Sequence, residues 1–109
     1  MPYGFNNDKS KANLSDQFVV VNDTGTLTVP ADGNVNYSSN LTTEHGYSPS
    51  EYIPIAIMQF STDQYINLAL VEYQLATLSD RIVATVRVRN LSNNNVTANV
   101  TMKVLLIKK

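Results

Sequence analysis

The sequence predicts an all-β protein, an antiparallel two-sheet β-sandwich of about six or seven strands in a single domain. Two observations carry this. Residues 81–109 hold two runs of alternating side chains around Ser92-Asn93-Asn94-Asn95. In the first, Ile82, Ala84, Val86 and Val88 share one face, and Thr85, Arg87 and Arg89 share the other. In the second, Val96, Ala98, Val100, Met102, Val104 and Leu106 oppose Thr97, Asn99, Thr101 and Lys103. Period two is that of a strand with one face on a core and one in water, and a polar turn between two such runs reads as a β-hairpin. Shorter apolar runs recur upstream between clusters of Asn, Asp, Gly and Pro, as strands do between turns.

Residues 1–16 read as an N-terminal arm ahead of a sandwich domain over 17–109. Gly4, Asn6, Asn7, Asp8, Lys9, Ser10 and Lys11 show no apolar period, and Tyr3 and Phe5 are its bulky anchors. Gln17–Val21 is a short strand. Asn22-Asp23-Thr24-Gly25 reads as a turn, after which Thr26–Pro30 resumes extended structure. Pro30 cannot donate to a ladder, so the strand ends there or lies at an edge. Ala31–Asn34 is a second turn. Asn34–Thr43 alternates weakly, with Val35, Tyr37 and Leu41 inward, as suits an edge strand. Thr43–Glu51 is a loop with room for one helical turn at Pro49–Tyr52, capped by Ser48 with Glu51.

Tyr52–Phe60 is apolar on both sides: Ile53, Ile55 and Ile57 face one way, and Ala56, Met58 and Phe60 the other. Such a strand is central or covered by a second subunit, while Pro54 argues for a strand start or an edge. In Tyr65–Ala76, Ile66, Ala69, Leu70 and Tyr73 fit a helical period, whereas Ile66, Leu68 and Leu70 fit alternation. The β-rich surroundings, with no Gly or Pro to close a helix, select strand.

Composition narrows the function. A chain of 109 residues makes one small domain with a modest core, so association would help its stability. The net charge of −1 and pI near 5.6 argue against a nucleic-acid binder, which shows a basic patch or stripe. With no cysteine, disulfide frameworks, thiolate metal sites and cysteine nucleophiles are excluded. No window has the apolar length of a membrane span. The opening residues lack a signal-peptide core, so we expect synthesis in a cytoplasm without an encoded export route. Asn-x-Ser/Thr triplets begin at Asn13, Asn22, Asn36, Asn40, Asn90, Asn95 and Asn99. Glycosylation would need secretion, and chance in an Asn- and Thr-rich chain explains them.

The residues that carry chemistry are sparse. His45 is the single histidine, and Glu44 beside it is the acid with which it would act as a general base. No partner motif marks a serine nucleophile, no ligand spacing marks zinc or an EF-hand, and no glycine-rich phosphate loop is present. We therefore expect no enzyme activity and no cofactor. Arg81, Arg87 and Arg89 share a polar face. They would grip an anion or a neighbouring subunit, or simply meet cross-strand carboxylates. Tyr47, Tyr52 and Tyr65 are candidates for ring stacking on a sugar, or for packing at the core edge. Leu105 and Ile107 break the polar face of the last strand, and exposed apolar groups mark interfaces. The candidate oligomer interface is thus Ile53, Ile55, Ile57, Met58, Phe60, Leu105 and Ile107.

The opening Met-Pro-Tyr-Gly-Phe-Asn-Asn-Asp-Lys-Ser-Lys resembles the start of small structural proteins of tailed bacteriophages and prophages of Gram-positive bacteria. Thr26–Gly33, Tyr52–Met58, Val86–Leu91 and Val104–Lys108 resemble strand and turn segments of their fibre and tail modules. Such modules are similar in layout to H-type lectin domains, sandwiches that assemble as trimers. The resemblance implies a homotrimeric virion component in contact with other virion proteins, or a binder of a host-surface glycan. The alternative is a carbohydrate-binding accessory domain of bacterial origin. No lectin position is matched to a residue of this chain.

Overall fold

A computed structural model describes residues 17–109; the proposed arm over 1–16 lies outside them. The described chain is all-β, with six strands: β1 (Phe18–Val29), β2 (Asn34–Asn40), β3 (Tyr52–Thr62), β4 (Leu68–Thr77), β5 (Ile82–Asn90) and β6 (Val96–Lys108). They form two antiparallel three-stranded sheets, ordered β1-β6-β3 and β2-β5-β4, packed as a sandwich.

The core lies where the alternation places it. Ile82, Ala84, Val86 and Val88 of β5 are fully buried, as are Met102, Val104 and Leu106 of β6. These are the two central strands, each flanked on both sides, and their inner faces meet across the sandwich. Val21, Val29, Leu41 and Leu68 complete the layer.

The hairpin expected over residues 81–109 does not form. β5 and β6 belong to different sheets, and Leu91–Asn95 arches between them. Asn90 holds the arch. Its fully buried side chain donates to Val29 O at 3.0 Å and Asn94 O at 2.7 Å, and accepts from Ser92 N and Ser92 Oγ, both at 2.8 Å. Burial also leaves no room for a glycan at its triplet. A hairpin and an arch present the same alternation, because both aim one face of each strand at the same core. β4–β5 is instead the hairpin, closed by Leu78 N donating to Arg81 O at 2.7 Å. Every other connection crosses between the sheets.

Two further expectations change. Asn22–Gly25 is not a turn; β1 runs straight through it, paired with Lys103–Val100 of β6. Tyr52–Phe60 is an edge strand, the placement Pro54 argues for, but two bulges break its expected alternation. Ile55 and Met58 are the unpaired residues; Ile57 shifts to the core side opposite Val104, and the second bulge restores the period, so Phe60 faces the core opposite Met102. Of the strand expected over residues 65–76, residues 68–76 are strand and residues 65–67 belong to the preceding turn; Pro30 follows the end of β1. Ser48 O does close a turn, accepting from Glu51 N and Tyr52 N. Its hydroxyl meets Ser50 and not Glu51.

Candidate functional site

Two places combine unusual chemistry with definite geometry. The first is the outer face of the β1-β6-β3 sheet. Residues in register share a face, so its rows can be read directly. Phe18, Ile107 and Ile53 form one row, and Val20, Leu105 and Ala56 the next. Asn22, Lys103 and Gln59 follow, then Thr24, Thr101 and Ser61. Two apolar rows thus end abruptly at polar ones. Phe18, Val20 and Ile53 are each close to half exposed, at 45%, 47% and 44%. Three strands contribute to one apolar surface at one end of the sheet.

This face gathers Ile53, Leu105 and Ile107 from the interface expected from sequence. Ile55 and Met58 stay exposed on the bulges along its β3 margin. Ile57 and Phe60 do not belong to it. They pack against the core: the first bulge turns Ile57 inward, whereas Phe60 faces the core by its alternation from Ile53 and meets Tyr37 of the facing sheet at a ring distance of 6.2 Å. Phe18 and Val20 were missed. The apolar run Phe18-Val19-Val20-Val21 is the signal that could have found them, since alternate residues of an uninterrupted run must face outward.

The second place is a polar lock inside the sandwich. Asp23, buried on β1, accepts hydrogen bonds from the Tyr37 hydroxyl, from Ser39 Oγ at 2.6 Å and from His45 Nε2 at 2.7 Å. Tyr37 and Ser39 lie on β2 and His45 on the loop after it, so the lock ties one sheet edge to the other. Burial works to raise the Asp23 carboxyl. The hydrogen bonds from His45, Ser39 and Tyr37, with the charge of a protonated His45, outweigh burial and hold it below its ordinary value of 3.8. Burial and the Asp23 carboxylate together push the Tyr37 phenol well above its ordinary value.

The three groups all converge on the Asp23 carboxylate. Ser39 gives its hydrogen to Asp23, not to His45. Glu44, the acid expected beside His45, accepts instead from Asn40 N at 2.6 Å. Among the described residues, no cluster of three or more His, Cys, Asp or Glu side chains gathers as a metal site would require.

Gly25 makes room for the lock. A Cβ there would sit 2.7 Å from the Tyr37 hydroxyl and 3.0 and 3.2 Å from its ring carbons. The ring cannot retreat without leaving Asp23. Gly25→Ala should therefore cost about 1–3 kcal/mol, read by thermal unfolding, and the cost should shrink in a Tyr37→Ala background. Equal costs in both backgrounds would show that the ring is not the obstacle.

The remaining candidates disperse. Tyr47 and Tyr52 stack edge to face at 4.9 Å and pack on the core. Tyr65 is 75% exposed on the β3–β4 turn. Arg87 donates to Asn36 Oδ1 at 3.3 Å and approaches Glu72 of β4 at 3.7 Å, a solvated pair of the kind worth about 0–1 kcal/mol. Arg89 pairs in register with Asn34 and Ala69, and Arg81 meets its neighbour Asp80. A hollow of about 290 Å³ between the β3–β4 turn and the β5–β6 arch is lined by amides, among them Gln64, Asn67, Asn94 and Asn95. No helix among the described residues is long and apolar enough to cross a membrane. Comparison of the chain with family models, with curated proteins and with solved structures gives no match.

Proposed function

We propose that this chain is a non-enzymatic structural module that self-associates through the apolar end of its β1-β6-β3 sheet. The observation that carries this is the pair of apolar rows, Phe18–Ile107–Ile53 and Val20–Leu105–Ala56. A contiguous outward apolar surface spanning three strands marks an interaction face. Covering it gains roughly 25 cal/mol for each Å² removed from water, and closed symmetry covers it equally in every copy. The setting we assign is a bacteriophage virion, beside other virion proteins. That setting, and the trimer in preference to a dimer, come from the sequence resemblance.

The test is mass in solution by light scattering. Wild type should exceed the 12.1 kDa of one chain, and Leu105→Lys with Ile107→Lys should return it to that mass. Lysine stems can lie along apolar surface while their charge reaches water, so the variant should still fold. A monomeric wild type, or a variant that keeps the wild-type mass, would place the association elsewhere or remove it. A host-surface glycan is the ligand class the resemblance attaches to such a module. The amide-lined hollow offers the donors and acceptors that sugar hydroxyls need, and a glycan array on the purified oligomer checks this part separately.

A further inference from the structure

The two long sides of the sandwich are finished differently. Where β1 faces β2, the Asp23 lock bridges the sheets. Where β3 faces β4, core-facing groups stand open. Leu70 and Tyr73 pair in register with Val88 and Val86, so their side chains leave on the core side of the sheet. Val86 and Val88 are fully buried, yet Leu70 and Tyr73 are 45% and 64% exposed. Bulges at Ile55 and Met58 on β3 and at Val71 on β4 bend both flanking edges. The result is a cleft of about 340 Å³ lined by Phe60, Tyr65, Leu68, Leu70 and Val88, with no charged residue in its wall.

The sequence outside the described residues holds an occupant of matching size and chemistry. A cavity of about 150 Å³ takes one benzene ring, so this cleft has room for about two. Residues 2–7, Pro-Tyr-Gly-Phe-Asn-Asn, carry two rings and no charged side chain. Spacing of two puts both rings on one side of an extended chain, and aromatic pairs with Phe60 and Tyr65 favour them further. We propose that the β3–β4 cleft receives residues 2–7 of a neighbouring copy, with Tyr3 and Phe5 seated in it. This rests on the self-association proposed above.

Reach and polarity favour the neighbour. The described chain begins at Gln17, beside Phe18 on the apolar outer face. Twelve residues from there to Phe5 span up to about 40 Å. The levels of Ile107 and Met102 along β6, which mark Phe18 and Phe60, are only about 17 Å apart. To enter its own cleft from β1 across this face, the segment would lay Asp8, Lys9, Lys11 and Asp16 over Ile107 and Ile53, desolvating charge. A copy covering that face closes this route, and the segment therefore goes to the neighbour's cleft.

The absence of cysteine from the chain makes the test direct. Phe5→Cys with Leu70→Cys, oxidised as the full-length protein, should give covalently linked chains on a non-reducing gel. Phe5→Cys with Asn34→Cys, which places the second thiol on the outer face of the other sheet, should not. A linked pair within one chain overturns the proposal, because the segment then fills its own cleft. Free thiols, or equal linking to position 34, overturn it as well. Light scattering of wild type separates the two ideas: an oligomer with free thiols removes the docked segment alone, and a monomer removes the association with it.

Discussion

Asp23→Ala should lower stability by roughly 3 kcal/mol, since a buried donor left without its acceptor costs about 1–3 kcal/mol. Two such donors lose their partner, the fully buried Ser39 hydroxyl and the half-buried Tyr37 hydroxyl. The more exposed His45 ring can turn to water, so its loss counts for less. Urea unfolding measures the effect. The pH profile gives a second readout. A carboxyl held below its unfolded value contributes stability above that value and loses it as pH falls through the folded one. Wild type should therefore lose stability below about pH 3.8, and Asp23→Ala should lose less there. Tyr37 has the opposite sign, because its folded value is raised. Its contribution is complete below pH 10.0, the ordinary tyrosine value, and fades as pH rises beyond it. An Asp23→Ala variant with wild-type stability and an unchanged acid limb would show that the lock contributes nothing.

Leu106→Ala should cost about 2–5 kcal/mol, the range for truncating a fully enclosed leucine. Leu106 has no exposed surface and stands between Val19 and Pro54 on the central strand of its sheet. Because three strands and the opposing sheet fix its surroundings, the cavity cannot collapse. The neighbouring Leu105 points the other way. Leu106→Ala should lower the unfolding midpoint while leaving the oligomer mass unchanged under native conditions, whereas Leu105→Lys with Ile107→Lys should reduce the mass to that of one chain and cost only the stability that association adds. Calorimetry and light scattering on both variants would expose any mixing of the two roles. A Leu106→Ala protein as stable as wild type would mean that the core repacks around the gap.

The polar lock, the open cleft and the apolar rows divide the molecule's surface into one sealed side, one open side and one apolar end. The first two depend on features of edge strands, and the third on a feature of the central strand β6. On β1 it is Asp23 turned inward where a core position would carry a hydrophobic residue. On β3 and β4 it is the bulges. On the outer face it is apolar residues placed where β6 otherwise carries Thr97, Asn99, Thr101 and Lys103. Edge strands manage exposed backbone with such devices, and here the same devices create the surfaces through which we propose the copies meet.

By itself the sequence determined the all-β class, the inward faces of β5 and β6, the end of β1 before Pro30 and the outward apolar pair Leu105 and Ile107. All of these follow from local period and turn chemistry, which a strand expresses wherever it lies. Only the tertiary structure decided which strands pair. The alternation of residues 82–90 and 96–108 is equally compatible with one sheet or two, and Asn90 settles it through bonds to Val29 and Asn94. The bulges at Ile55 and Met58 carry no local signature, yet each shifts the period by one: the first moves Ile57 from a supposed interface into the core, and the second restores the period, so that Phe60 faces the core as well. Asn22–Gly25 reads locally as a turn. It becomes strand because Asp23 and Gly25 meet Tyr37, fourteen and twelve residues further on. Partners that distant leave no trace in local spacing, and their contacts outweigh the local preference for a turn.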